Sequence, residues 1–362
     1  MTEYVVATLG CPLAGSSTLN RLELGTAAAG RYKRIATDPV AMDRLLADGF
    51  VESQAKPPRE IWLDLDATDD PLRGRQEGRF FHGYYRHYCY LPLYIFCGEH
   101  LLCARLRPSN IDASAGSVEE LTRIVAQIRR RWPDTRIVIR GDSGFCRESI
   151  MSWCEREGIG YVFGLARNTR LVAAIARAMV QARAVYEQTG SPARVYRDFR
   201  YRTLKSWSCS RRVVGKAQYL PKGPNPRFVV TSLPADEAVA SHLYETLYCA
   251  RGDMENRIKE QQLGLFAERT SSATLKANQL RLYFSSFAYV LMHGLRRLGL
   301  AGTAYAKAQC TRIRVKLLKI GARVRVTVRK IWLAFSESYP YANLFARILA
   351  NLRTHPPWPA PG

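Results

Sequence analysis

Residues 137–145, IVIRGDSGF, separate two unrelated interpretations of this chain. A reactive Ser143, in a GDSG context like that of trypsin-type proteases, requires a partner histidine, an orienting carboxylate and a double β-barrel. None of the six histidines stands in a protease-like context, and Ser143 lacks the small-residue turn of a nucleophile elbow. The stretch therefore favours Asp142, which ends an apolar, β-branched run typical of a buried strand.

Asp142 itself can be interpreted in two ways. A carboxylate at the end of a buried strand is either a helix N-cap or a metal ligand. The residues that follow, DSGFCRESIMSWCEREG (142–158), predict a helix that starts directly after Asp142. Spacing alone therefore favours the N-cap, and the choice depends on the other acids of the chain.

Composition limits the kind of protein. The chain has 362 residues, of which 47% are hydrophobic, enough to bury a sizeable core in one large or two modest domains. Lysine and arginine outnumber aspartate and glutamate by 54 to 31, and the net charge of +23 favours a polyanionic partner such as nucleic acid. A ribosomal or membrane-surface protein is the alternative.

Membrane insertion and a metal site built on cysteine are both disfavoured. No apolar run reaches the roughly 18 residues that a membrane span requires, and the N-terminal residues lack the order of a signal peptide. The nine cysteines are odd in number and contain no CxxC pair, so their spacing does not assemble a zinc site. We expect reduced, mostly buried thiols and a cytoplasmic location.

The order of predicted elements between residues 59 and 166 indicates the fold class. The segments IWLDLD (61–66), RFFHGYYRHYCYLPLYIFC (79–97) and HLLCARLRP (100–108) predict an antiparallel meander. A helix at 114–133, the strand ending at Asp142, a helix through Glu157 and a strand at 160–166 follow. The order β-β-β-α-β-α-β predicts a mixed α/β fold with an RNase H-like core, in which crossover helices feed parallel strands of one sheet.

The remaining segments surround this core. We predict a small helical N-terminal region at 1–58, with helices at 15–25 and 38–50, and a β-rich insertion subdomain at 167–234 that opens with an alanine-rich helix at 171–186. The second part of the core, 235–300, contains a long helix at 236–264 and an apolar helix at 278–298. In the basic C-terminal region, 301–362, Arg312, Arg314 and Lys316 alternate with apolar residues, which predicts a strand with one basic face.

Two acids at the end of the first predicted strand share one face. In IWLDLDATDD (61–70), Ile61, Leu63 and Leu65 occupy one side of the strand, so Asp64 and Asp66 point to the other. Asp142 ends the strand that lies beside the first in an RNase H-like sheet. The two strand ends therefore bring carboxylates together, and the third acid should come from a later helix.

The helix at 236–264 supplies a polar face that contains an acid. Its residues follow one another at intervals of three or four, so they project from the same side: Tyr248, Arg251, Glu255, Lys259 and Gln262. The alternative is a solvated stripe stabilised slightly by a Glu255–Lys259 pair. The presence of Asp66 and Asp142 favours a functional site over a solvated stripe.

The sequence around this face resembles a known family. YCARGDMENRIKE (248–260) resembles the tyrosine–arginine–glutamate–lysine signature of bacterial insertion-sequence transposases of the DDE type. The chain is similar to the insertion-sequence family conventionally numbered thirteen-eighty through LDLDATDDP, HGYYRHYCYLPLYIF, IRGDSGFCRE, FRYRTLKSWSCSRRVVGKAQY and RIRVKLLKIGARVR. The likeness covers about residues 58–352. It implies an RNase H-like catalytic core, a β-rich insertion before the glutamate, and cut-and-paste movement of an element by its own transposase at the bacterial nucleoid.

Carried over residue by residue, the resemblance implies that Asp66, Asp142 and Glu255 are catalytic acids and metal ligands, with Asp64 the alternative to Asp66. Carboxylates are hard oxygen ligands for Mg²⁺. Two such ions about 3.5–4 Å apart, with Mn²⁺ able to substitute, would activate the attacking water or 3′-hydroxyl and stabilise the leaving oxygen. This chemistry needs no nucleotide cofactor, and the sequence has no GxxxxGK[ST] phosphate loop.

The resemblance also implies contacts with double-stranded DNA. Tyr248, Arg251 and Lys259 match the signature and would contact phosphates or hold the acids, whereas Gln262 stands where a lysine is commoner. Cations and aromatic residues of the insertion form a candidate surface for the terminal repeats: Arg200, Tyr201, Arg202, Lys205, Trp207, Arg211 and Arg212. The alternative is a twisted sheet with a solvated basic face. We expect a homodimer on DNA, since two ends must be joined to one target.

Two rival hypotheses remain at this stage. Only LAGSSTLNRLE (13–23) resembles the family's longer N-terminal DNA-binding region, so the chain could be a truncated DNA-binding remnant that does not transpose. It could also be a nuclease with an RNase H fold that cuts without joining.

Overall fold

A computed structural model describes residues 2–7 (backbone), 21–23, 37–327 and 331–354. The chain divides into two compact units, Val40–Arg257 and a second unit that combines Met1–Pro39 with Ile258–Gly362. Within the described ranges, no helix is long and apolar enough to cross a membrane.

The described strands are β1 Thr2–Ala7, β2 Glu60–Ala67, β3 Asp70–Pro71, β4 Phe80–His82, β5 His87–Tyr90, β6 Leu93–Cys97, β7 His100–Arg105, β8 Arg136–Gly141, β9 Gly160–Leu165, β10 Ala193–Tyr201, β11 Arg211–Leu220, β12 Gly223–Pro224, β13 Arg227–Thr231, β14 Ala322–Val326 and β15 Ile331–Phe335. The α-helices are Pro39–Glu52, Ser117–Arg131, Glu148–Arg156, Thr169–Ala174, Ala176–Thr189, Ala240–His242, Gly252–Lys259, Leu275–Gly294, Cys310–Ile313 and Ala342–Arg353. Segments of π-helix occupy Leu243–Tyr248, Glu260–Gly264, Leu295–Gly299 and Arg314–Leu318, and Cys249–Arg251 is a 3₁₀ turn.

A mixed sheet organises the Val40–Arg257 unit. Its strand order is β10-β11-β13-β9-β8-β2-β6-β7, with β12 paired to β11. Strands β2, β6 and β7 form an antiparallel meander, whereas β8 runs parallel to β2 and β9 runs parallel to β8. The predicted mixed α/β class is confirmed, and these strand directions are compatible with an RNase H-like core.

The β-rich segment at 167–234 extends this sheet. β13 pairs antiparallel with β9, and β11 and β10 continue outward from it. The alanine-rich helix predicted at 171–186 is two helices, and the Asn168 side chain caps the first by accepting from the Leu171 N–H. The segment therefore continues the central sheet and does not form a sheet of its own.

Alternating side chains place helices on both faces of the sheet. Leu63, Leu65 and Ile139 point into a core cluster shared with Ser117–Arg131 and Glu148–Arg156. Val138, which precedes Ile139 in β8, and Val162 of β9 point to the opposite face. There they pack against Leu243 and Tyr244 of the π-helix Leu243–Tyr248. Trp62 packs on that second face, so the strand alternation directs Asp64 and Asp66 to the same side as this helical segment.

Residues 1–58, predicted to be a small helical region, contain a predicted helix and an unpredicted strand. The helix predicted at 38–50 is confirmed as Pro39–Glu52, and the helix predicted at 15–25 lies outside the described residues except for 21–23. Strand β1 pairs antiparallel with β15, so the N-terminal region also contributes a strand.

The basic strand predicted at 312–317 is wrong, because this segment is helical. Ile313 and Leu317 are buried and lie four residues apart, which is the period of a helix face. Val315, between them, is 48% exposed. The basic residues therefore follow a helical surface.

Candidate active site

Asp66 and Asp142 stand at neighbouring strand ends. The parallel pairing of β2 with β8 places Leu65 beside Gly141. The residues that follow, Asp66 and Asp142, therefore lie at the same edge of the sheet. The Ala67 N–H donates to Asp66 Oδ1 at 3.0 Å. The Gly144 N–H donates to Asp142 Oδ1 at 2.8 Å, which orients that carboxylate.

The N-cap interpretation of Asp142 is wrong. The following helix begins at Glu148, and its N-cap position is Arg147. Asp142 instead stabilises the turn between β8 and this helix through Gly144. One carboxylate oxygen of Asp142 is engaged by the backbone, and the group does not cap a helix.

Glu255 reaches the same region through Arg251. Both residues lie in the helical segment on the second face of the sheet, and the Arg251 Nη2 donates to Glu255 Oε1 at 2.7 Å. The other guanidinium nitrogen, Nη1, lies 3.8 Å from Asp66 Oδ1. Arg251 therefore bridges a strand acid and the helix acid.

Asp66 lies in the electrostatic field of the other two acids. The pKa of Asp66 is raised to about 6, mainly by burial; the negative charges of Asp142 and Glu255 also raise it, whereas Arg251 lowers it. Burial also raises the pKa of Tyr248, again with Arg251 lowering it and Asp142 raising it. The signature residues Tyr248 and Arg251 thus lie within the field of the acids.

Asp64 has a different environment from Asp66. Its two carboxylate oxygens accept from Arg140, with Nε–Oδ1 at 2.5 Å and Nη2–Oδ2 at 2.8 Å, and both side chains are buried. Arg140 also donates to the Leu247 carbonyl and lies over the Trp62 ring at 5.3 Å. A carboxylate held by a bidentate guanidinium has few free lone pairs, so Asp64 is a poor candidate ligand. The pair instead ties the strands to the helical segment.

Gly164 of β9 is a site residue that the sequence reasoning missed. A Cβ at this position would lie 2.5 Å from Tyr248 Oη and 2.9 Å from the Ser143 backbone nitrogen. Glycine alone therefore allows Tyr248 to lie against the turn that carries Asp142. Its only sequence signal is a glycine inside a predicted strand, which marks a close approach.

The helical segment is not one continuous α-helix. A π-helix at Leu243–Tyr248 and a 3₁₀ turn at Cys249–Arg251 precede the α-helix Gly252–Lys259 that carries Glu255. Lys259 is exposed, one turn after Glu255 in the same helix, and Gln262 lies in the next π-helix. The contact between Arg251 and Glu255 shows that these two residues, four apart in sequence, lie on the same side of the segment.

Three of the predicted DNA-binding residues are buried and paired. Arg211 donates to Glu148 and Glu155, and its guanidinium lies over the Trp207 ring at 5.5 Å. Arg212 pairs with Asp198 and donates to the backbone carbonyls of residues 233, 234 and 238. The side chains of Trp207, Arg211 and Arg212 are therefore engaged inside the protein, and this arrangement leaves them no surface for DNA.

The neighbouring turn presents other cations to solvent. Arg202 and Lys205 lie exposed between β10 and β11, beside Leu204, which is 81% exposed. Arg200 is exposed and donates to the Ser210 carbonyl, whereas Tyr201 is buried and hydrogen-bonded to Asn168. The accessible part of the predicted basic surface is thus Arg200 and the turn at 202–206.

The acids suit a divalent cation by donor chemistry and by charge, but the described side chains are not gathered around one point. Carboxylate oxygens are the ligands that Mg²⁺ prefers, and a carboxyl whose pKa is raised by burial and by two acidic neighbours gains from a nearby cation. No group of three His, Cys, Asp or Glu side chains close enough to hold an ion together occurs within the described ranges. In this arrangement Arg251 provides the positive charge, and Glu255 is turned towards it.

Comparison with protein families identifies a family that the chain matches. A family model described as transposase DDE domain group 1 matches residues 3–357. No curated protein matches the chain.

Proposed function

Because the chain belongs to the transposase DDE domain group 1 family, we propose that it moves a bacterial insertion sequence by cutting DNA at the element ends and joining those ends to target DNA. The observation that carries the proposal is geometric: Asp66 and Asp142 follow paired residues of neighbouring strands, and Arg251 lies between Asp66 and Glu255. The family accounts for transposase activity in general, and these residues suggest where the chemistry takes place.

Asp66, Asp142 and Glu255 are the proposed metal ligands. A divalent cation held there, Mg²⁺ by donor chemistry with Mn²⁺ as a substitute, would neutralise charge at the scissile phosphate and activate the attacking oxygen. The protein contributes orientation: Gly144 fixes Asp142, and the Ala67 N–H fixes Asp66. Arg251, released from Glu255, would offer a planar guanidinium to a phosphate.

The proposed reaction is a pair of phosphodiester exchanges at one site. Water attacks the phosphorus at the element boundary, and the 3′-oxygen leaves with a proton as the free 3′-hydroxyl. That hydroxyl then attacks a target phosphodiester, and the target 3′-oxygen leaves. Neither step requires a covalent bond to the protein or a nucleotide cofactor.

DNA contacts are proposed for exposed cations near this chemistry. Arg202 and Lys205 on the turn between β10 and β11 are suited to phosphates of the terminal inverted repeat. Tyr248, Arg251 and Lys259 of the signature would act closer to the cut. A homodimer on DNA, bound at the nucleoid, would bring two element ends to one target.

The test is cleavage and joining of DNA carrying the flanking inverted repeats, with Mg²⁺ or with EDTA. We expect wild-type protein to give both products, and we expect Asp142→Ala and Glu255→Ala to give neither while binding the DNA. Binding without cleavage by the wild type would support the inactive remnant instead. Cleavage without any joined product would support the nuclease.

A further inference from the structure

An aromatic hairpin, residues 80–90, adjoins the proposed active site. Strands β4 and β5 pair antiparallel, and the Arg86 N–H donates to the His82 carbonyl at 2.8 Å to close the loop. Strand β3, which begins four residues after Asp66, pairs with β5. In the loop, the Tyr85 hydroxyl lies 3.4 Å from the Ala67 carbonyl, beside Asp66.

Hydrogen bonds to the flanking loop segments hold the hairpin in place. The Leu72 N–H donates to the Tyr88 carbonyl at 2.9 Å, and Ser109 Oγ donates to the Phe80 carbonyl at 3.0 Å. The buried Tyr90 donates its hydroxyl to the Glu77 carbonyl at 2.6 Å. Backbone and side-chain hydrogen bonds thus hold the hairpin at a fixed place relative to Asp66.

Aromatic rings cover the outside of this hairpin. Tyr84 is 84% exposed and Phe81 is 58% exposed, and Phe80 and Tyr88 are also exposed. Phe81 and Tyr88 meet edge to face at 5.6 Å, and Arg79 lies 3.7 Å over the Tyr88 ring. Large apolar rings clustered in water on a rigid element indicate a binding surface.

The charges around the rings favour a polyanion. Residues 71–90 contain four arginines, Arg73, Arg75, Arg79 and Arg86, and the single acid Glu77. Exposed ring faces and arginines together are the pattern that binds single-stranded nucleic acid, because each base stacks on a ring and each phosphate meets a cation. A protein partner would have to bring acidic groups for these arginines, whereas a DNA strand brings a phosphate with every base.

We propose that the aromatic hairpin stacks on unpaired bases of the DNA strand next to the cut. The inference rests on the proposed function, because it assumes that a DNA end lies beside Asp66. Phe81 and Tyr84 supply the ring faces, and the arginines hold the adjoining phosphates. Opening the terminal base pairs would then be stabilised by the hairpin that adjoins Asp66.

The test measures binding of the full-length protein to two probes. One probe is a blunt duplex, and the other is the same duplex with a short single-stranded tail containing 2-aminopurine. We expect wild type to bind the tailed probe about tenfold more tightly than the blunt one, and to quench its fluorescence. Phe81→Ala and Tyr84→Ala should reduce this preference several-fold, whereas Phe81→Tyr and Tyr84→Phe should keep it.

Phe284→Ala, which removes an exposed ring in the other unit, is the matched control and should leave the preference unchanged. An unchanged preference in Phe81→Ala and Tyr84→Ala would overturn the inference, and so would an equal loss of affinity for both probes. Mg²⁺-dependent cleavage of element ends that persists in such variants would leave the proposed function intact. Wild type that neither binds nor cuts DNA would overturn both.

Discussion

At the scale of single residues, Asp64 and Asp66 share a strand face but differ in their partners. Asp64 is neutralised by Arg140, whereas Asp66 lies near two other acids. We expect Asp64→Ala to lower the free energy of unfolding by about 3–5 kcal/mol, because it leaves Arg140 buried and unpaired. Asp66→Ala should abolish cleavage without that loss, as measured by urea denaturation and a cleavage assay.

A double variant checks the cause of this difference. Asp64→Leu combined with Arg140→Met removes both charges, so it should restore most of the stability that Asp64→Ala loses. A strong loss of stability in Asp66→Ala, with normal stability in Asp64→Ala, would reverse the two roles.

The raised pKa of Asp66 predicts how stability depends on pH. The folded state keeps the proton up to about pH 6, whereas the group ionises near its usual 3.8 when unfolded. Between these values the folded state binds more protons, so this group's stabilising contribution is lost as the pH rises. A shift of about two units corresponds to about 3 kcal/mol. In metal-free buffer, Asp66→Asn should therefore be more stable than wild type at pH 7.5.

The comparison at pH 4 is the control for that prediction, since the wild-type carboxyl is then protonated in the folded state. The stability gained by Asp66→Asn should shrink there, as measured by urea denaturation at both pH values. An equal difference at pH 4 and pH 7.5 would show that ionisation of Asp66 does not cause it.

Gly164 predicts a steric effect on the site. A methyl group at this position would meet Tyr248 Oη at 2.5 Å and the Ser143 backbone, so Gly164→Ala should displace Tyr248 or the turn after Asp142. Displacements near 1 Å cost about a hundredfold in rate, and a cleavage assay should show a loss of that size. Gly49→Ala is the control, because nothing lies within 4 Å of its added Cβ. Equal cleavage by both variants would contradict the account.

At the scale of elements, the segment from β10 to β11 contains two kinds of basic side chain, some buried in ion pairs and others exposed to solvent. Arg211 joins the start of β11 to the helix Glu148–Arg156, so Arg211→Met should cost about 3 kcal/mol of stability. Arg202→Ala and Lys205→Ala should change stability by less than about 0.5 kcal/mol. Each should weaken DNA binding and reduce the salt slope by about 1.

Denaturation and salt-dependent DNA binding of the three variants measure this contrast. Intact stability together with a reduced salt slope in Arg211→Met would contradict the assignment, because it would make Arg211 a phosphate contact. A salt slope unchanged by both Arg202→Ala and Lys205→Ala would remove the turn at 202–206 from the DNA surface.

Sequence periodicity predicted the strands and helices better than it predicted which side chains contact one another. The alternation in residues 61–66 identified the strand face that carries Asp64 and Asp66, because a strand has a fixed period of two. The alternation could not reveal that Asp64 forms an ion pair with Arg140, 76 residues away. This pairing depends on the register between β2 and β8. The basic run at 200–212 likewise gave no sign that Arg211 meets Glu148, 63 residues earlier.

At the scale of the whole molecule, the order of strands and helices was the most predictable feature. Three antiparallel strands followed by helices and parallel strands were predicted from local patterns, and the sheet has these directions. The division of the chain was less predictable. The chain passes from one unit to the other between Arg257 and Ile258, inside the helix Gly252–Lys259, where the sequence shows no linker. Long-range pairing, such as β1 with β15, leaves no local signal in either strand.

The measurement that tests the central claim most directly is a change of metal preference at Asp142. In Asp142→Cys, a thiolate replaces a hard oxygen ligand, so cleavage of element-end DNA should be lost with Mg²⁺ and regained with a thiophilic ion such as Cd²⁺. Asp64→Cys, at the acid paired with Arg140, should show no such change of preference. Normal Mg²⁺-dependent cleavage by Asp142→Cys, or a metal switch at Asp64 instead, would contradict the account of this site.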